Sequence, residues 1–77
     1  MKTPRDLSAT DLIKILKKFG YEATRQKGSH IRLSVTVGEI THHVTIPNHN
    51  PLKLGTTLSI VSNVSDFLKI PKTEILK

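Results

Sequence analysis

The stretch Lys27-Gly28-Ser29-His30-Ile31-Arg32-Leu33-Ser34-Val35-Thr36-Val37 decides how this chain folds. From Ser29 to Val37, the apolar Ile31, Leu33, Val35 and Val37 alternate with His30, Arg32, Ser34 and Thr36. A period of two with one apolar and one polar side predicts a strand in a sheet covered on a single face. The Gly28-Ser29 pair in front of it reads as a turn, since glycine enters left-handed backbone without a steric cost. Val37-Gly38-Glu39 turns the chain again, and Ile40 to Ile46 returns as a further strand. There Ile40, Val44 and Ile46 alternate with Thr41, His43 and Thr45, and His42 falls on the apolar phase. Upstream, Tyr21 to Gln26 is expected as the first strand of three.

Helical signals flank these strands. In Leu7-Ser8-Ala9-Thr10-Asp11-Leu12, Ser8 is a good N-cap, Asp11 supplies the acid of a capping box, and Leu7 and Leu12 occupy staple positions. Leu12, Ile15, Leu16 and Phe19 form one apolar stripe, which Ile13 widens, with Lys14, Lys17 and Lys18 opposite. Gly20 supplies the left-handed residue past the helix end. Pro47-Asn48-His49-Asn50-Pro51 is the densest turn signal and predicts a loop. A second helix is expected from about Gly55-Thr56-Thr57, burying Leu54, Leu58, Val61 and Val64. Two continuations are open: an αL ending at Asn63 followed by a short third helix capped by Ser65, or one helix through to Leu68. Pro71 breaks what precedes it, and residues 72–77 form a tail or a last turn on which Ile75 and Leu76 dock.

The expected fold is therefore α+β, in the order α-β-β-β-α, with a three-stranded antiparallel sheet and both helices on one face. One domain spans 1–77, with an ordered core over about 7–70 and a C-terminal tail over 71–77. The other sheet face stays uncovered, with His30 and Arg32 standing on it.

Composition narrows the chemistry. The 77 residues hold no cysteine, so neither a disulfide framework nor a cysteine zinc site is available. Met1-Lys2-Thr3-Pro4-Arg5 lacks the apolar core of a signal peptide and no run reaches membrane-spanning length, so a soluble cytoplasmic protein is expected. Lys and Arg number 12 against 6 Asp and Glu, a net charge of +6 that favours nucleic acid, an acidic protein or an anionic surface as partner. Phe19, Tyr21 and Phe67 are the whole aromatic supply, too few for a base-stacking platform, so a grip on nucleic acid falls mostly on its backbone.

His30 is the residue with chemistry to offer. Histidine exchanges protons near neutral pH unaided, and Arg25, Lys27 and Arg32 surround it in sequence. Gly28 and Ser29 add backbone amides within reach of a phosphate oxygen. His43 shares the polar phase and is a candidate auxiliary, as is His49 in the proline-flanked loop. His42 is expected as a satisfied core or edge histidine. Adjacent on a strand, His42 and His43 point to opposite faces, and no carboxylates cluster with them, so no metal site and no cofactor is expected.

Three pieces of this sequence together resemble the HicA family of toxins: Lys27-Gly28-Ser29-His30 opening a strand, Val44-Thr45-Ile46-Pro47-Asn48-His49 closing one, and Leu54-Gly55-Thr56 leading a helix. The resemblance runs from about Leu12 to Leu68. It implies a fold like a double-stranded-RNA-binding domain, ribonuclease activity on messenger RNA within a type II toxin–antitoxin pair, and a HicB-like antitoxin as partner. The family's catalytic histidine follows Gly-Ser, which corresponds to His30; beside it, the residues themselves suggest Arg25, Lys27, Gly28, Ser29 and Arg32 for handling phosphate. Many members carry a second histidine where this chain has Ile31, and glycine where it has Asn63. The rival reading is a non-catalytic RNA-binding module of the same architecture.

Overall fold

The computed structural model of the chain describes residues 7–48 and 52–76. Its elements are α1 (Ala9–Lys17), β1 (Glu22–Lys27), β2 (His30–Val37), β3 (Ile40–Pro47), α2 (Leu54–Leu68) and α3 (Lys72–Ile75). This is the expected α-β-β-β-α order with one short helix added.

Ser8 opens α1 as its side chain dictates. Its Oγ accepts from the Asp11 N–H at 3.1 Å, and the Asp11 carboxylate accepts from the Ser8 N–H at 3.1 Å, closing the capping box. The helix buries Ala9, Leu12 and Leu16. Beyond it, the Gly20 N–H bonds the Lys17 carbonyl and the Tyr21 N–H bonds the Leu16 carbonyl, the crossed pair of a Schellman motif. Gly20 takes φ 98° there, and a Cβ would stand 3.4 Å from Val35 Cγ2. The chain can thus leave the helix directly into the sheet.

The strands lie in the order β1-β2-β3, antiparallel throughout. Both hairpins are two-residue turns, Gly28-Ser29 and Gly38-Glu39, with positive φ at the glycine and not at the residue after it. That is the pattern of a II′ turn, whose twist matches the strands it joins. Leu33, Val35, Val44 and Ile46 from the sheet pack with Leu12, Leu16, Ile60, Val61, Val64 and Ile75 from the helices. Each such side chain contributes about 1.5–3 kcal/mol by leaving water. Val37 and Ile40, opposed at the tip of the second hairpin, keep the apolar phase but reach beyond the helices and are exposed.

Of the two continuations open for the second helix, the unbroken one forms. Asn63 stays helical, and the left-handed residue is Lys69, with φ 57°. The reason is packing: Thr57, Ile60, Val61 and Val64 make one buried stripe at i, i+3, i+4 and i+7, which a break at Asn63 would interrupt. Ser65 therefore caps no new helix; its hydroxyl donates to the Ile70 carbonyl at 2.5 Å and fastens the helix end. The same stripe corrects the expected buried face, because Leu54 and Leu58 lie on its flank and are exposed while Thr57 and Ile60 are inside. Residues 72–75 form the last turn, and Ile75, 1% exposed, docks into the core.

Candidate active site on the uncovered sheet face

The uncovered face depends on one irregularity in β1. Ala23 pairs with Leu33 and Arg25 with Arg32, which leaves Thr24 as an extra residue, a β-bulge. Tyr21 is buried just before the strand. A strict period of two counted from it would send Ala23, Arg25 and Lys27 all toward the helices. The inserted residue reverses the phase, so Arg25 and Lys27 emerge on the polar side.

Directly opposed residues of antiparallel strands share a face, so the register lays out rows across the sheet. The first row is Lys27, His30 and Pro47, the second is Arg25, Arg32 and Thr45, and the third is Glu22, Ser34 and His43. Thr36 and Thr41 follow, their hydroxyls 3.0 Å apart. Arg25, Lys27, His30, Arg32 and Thr45 line one cavity of about 330 Å³, and His30 is exposed within it. The Gly28-Ser29 turn borders this cavity in sequence. It is held by the residue just past β3, where the Asn48 N–H donates to the Ser29 carbonyl at 2.6 Å.

His30 thus stands in solvent among three cationic side chains. Chemically, the arrangement offers a proton acceptor beside charge that attracts a phosphodiester. His43 lies on the same face, but four residues along the strand direction from His30. That is about 13 Å at the usual rise, against the roughly 3 Å that proton transfer at one atom requires. Instead it ends a hydrogen-bonded chain: His43 Nδ1 meets Ser34 Oγ at 2.5 Å, Ser34 Oγ meets Thr24 Oγ1 at 3.1 Å, and Thr24 Oγ1 reaches the Arg32 carbonyl at 3.5 Å. His49 lies outside the described residues.

His42 faces the helices. The Tyr21 hydroxyl meets its Nδ1 at 2.8 Å, and its ring stacks on Phe67 with centroids 4.5 Å apart and planes 10° from parallel. Burial, with the nearby His43 second, holds its pKa below the ordinary histidine value, while burial raises that of Tyr21. A protonated tyrosine and a neutral imidazole therefore share this hydrogen bond, which is the satisfied edge histidine the sequence suggests.

Three features of this face are missed by sequence reasoning: Thr45, which reads only as a polar position, the place of Glu22, and the bulge, whose signal is the loss of alternation in Glu22-Ala23-Thr24-Arg25-Gln26-Lys27.

No described helix is long and apolar enough to cross a membrane. No curated protein and no solved structure gives a significant match to the chain. The family model of the HicA toxin of bacterial toxin–antitoxin systems matches residues 9–69. That span covers α1, the whole sheet and α2. With the match reaching over most of its length, the chain belongs to the HicA family: it is a toxin, of a kind that is paired with an antitoxin.

Proposed function

We propose that this toxin is a metal-independent endoribonuclease acting on messenger RNA in the cytoplasm, with His30 as general base. A HicB-like antitoxin would silence it by covering the sheet face. The observation that carries this reading is the exposed His30 sharing one cavity with Arg25, Lys27 and Arg32. Positioned proton transfer contributes about 10²–10⁴-fold. Here the His30 imidazole takes the 2′-hydroxyl proton while the 2′-oxygen attacks the adjacent phosphorus. The bond from phosphorus to the 5′-oxygen breaks, and that oxygen leaves with a proton from water, giving a 2′,3′-cyclic phosphate and a 5′-hydroxyl end. Charge building on the phosphate oxygens meets Arg25, Arg32 and Lys27, and the Gly28 and Ser29 amides add hydrogen bonds from the turn.

Among the described residues no second imidazole lines that cavity, an observation that favours the rival, a non-catalytic RNA-binding module. One experiment separates the two. A single-stranded RNA and its fully 2′-deoxy counterpart are incubated with the protein in excess chelator. Cleavage of the RNA alone, leaving cyclic phosphate ends, supports the nuclease; binding of the RNA without any cleavage supports the module.

A further inference from the structure

The third row of the sheet face is unlike the two beside it. Lys27 beside His30, then Arg25 beside Arg32, bring cations to the face; Glu22, Ser34 and His43 present a carboxylate, a hydroxyl and an imidazole side by side on three strands. These three residues, with Thr24, Thr36 and Thr41, line a second cavity of about 600 Å³. Arg25 and Arg32 line this cavity as well as the one around His30, so the two adjoin at the cationic row.

A carboxylate does not belong in a phosphate track, where it would repel the ligand. It suits the edge of a nucleobase, whose amino and imino groups donate hydrogen bonds. Single-stranded RNA is read in this way, on bases turned out of the stack and bonded along their edges. We infer that the second cavity is a nucleobase subsite, in which Glu22 and His43 select a base a few nucleotides along the strand from the scissile phosphate. The inference rests on the proposal that this sheet face binds single-stranded RNA.

The hydrogen-bond chain behind His43 explains how that ring is aimed. With Nδ1 engaged by Ser34, and Ser34 in turn by Thr24, Nε2 is left as the atom that meets a ligand. Glu22 offers acceptors only, and the hydroxyls of Ser34, Thr36 and Thr41 work as donors or acceptors. The row therefore suits a base edge that carries a donor for Glu22. A strand crossing from His30 to His43 covers about 13 Å, or roughly four nucleotides at the stacked spacing and fewer if extended, and Arg25 and Arg32 meet the backbone phosphates in between.

The test is a selection from a pool of randomised single-stranded RNA octamers by the His30→Ala protein, which keeps the ligand uncut. The pool is also passed over the same protein carrying Glu22→Gln or His43→Ala. Enrichment of one type of base at a single position, flattened by either second substitution with about ten-fold loss of affinity for the selected octamer, is the expected result. His43→Gln, which retains a side-chain amide, separates loss of the base contact from loss of folding. Enrichment that neither substitution alters, or binding with no base preference at all, overturns the subsite while leaving the RNA-binding face intact. Failure to retain any octamer even at low salt overturns the RNA reading itself.

Discussion

Arg25 and Arg32 are cross-strand partners, two guanidinium groups on directly opposed positions of one sheet face. Like charges so placed destabilise a sheet, and the bulge at Thr24 is what brings them there. The RNA backbone proposed for this face would supply the counter-charge that the pair lacks.

Neutralising one of the pair therefore separates stability from binding. Arg25→Gln is expected to leave the melting temperature unchanged or raise it slightly, by up to about 0.5 kcal/mol of stability. The same substitution weakens binding of single-stranded RNA and lowers the slope of log affinity against log salt by about 0.7. Thermal unfolding and a salt titration of binding check the two halves independently.

The turn before His30 admits a sharper test of backbone. Gly28 has φ 58° with open space where a Cβ would go, so a substitution there meets strain and no clash. Gly28→Ala should cost about 1 kcal/mol, and Gly28→Asn distinctly less, because asparagine tolerates left-handed backbone. Chemical denaturation of the three proteins orders them as Gly, Asn, Ala if the turn is as described.

The paired residues Tyr21 and His42 set a pH dependence. The folded-state pKa of His42 is depressed by burial first and His43 second, so the unfolded chain binds its proton more readily. Stability is then present in full above the ordinary histidine value of about 6.5 and is lost as pH falls from there through the folded pKa. The wild type should melt at lower temperature at pH 5.5 than at pH 7.5. In His42→Phe, which keeps the stack on Phe67, that difference should shrink, even though orphaning the Tyr21 hydroxyl costs about 1 kcal/mol at the higher pH. An identical pH difference in both proteins would remove His42 as its source.

How legible the molecule was depends on whether a signal is local. Ser8, Asp11, Gly20 and the alternation of His30 to Val37 act within a few residues, and the helix, its ending and the central strand follow from them. The buried face of α2 does not follow. Leu54 and Leu58 are more apolar than Thr57, and only the geometry of docking on the sheet puts Thr57 inside. The bulge is also a tertiary outcome, because its register is set by a hairpin closing at Gly28-Ser29 while Tyr21 is drawn into the core. The cations around His30 were visible as neighbours in sequence. That they share its face, and that Glu22 joins His43 in another row, required the register.

The most direct test of the central claim follows end-labelled single-stranded RNA under chelator, comparing wild type with His30→Ala at equal concentration after circular dichroism has shown both folded. Cleavage by the wild type and a loss of at least about 100-fold in the variant are expected, with RNA affinity largely kept. Cleavage by His30→Ala at the wild-type rate would contradict it.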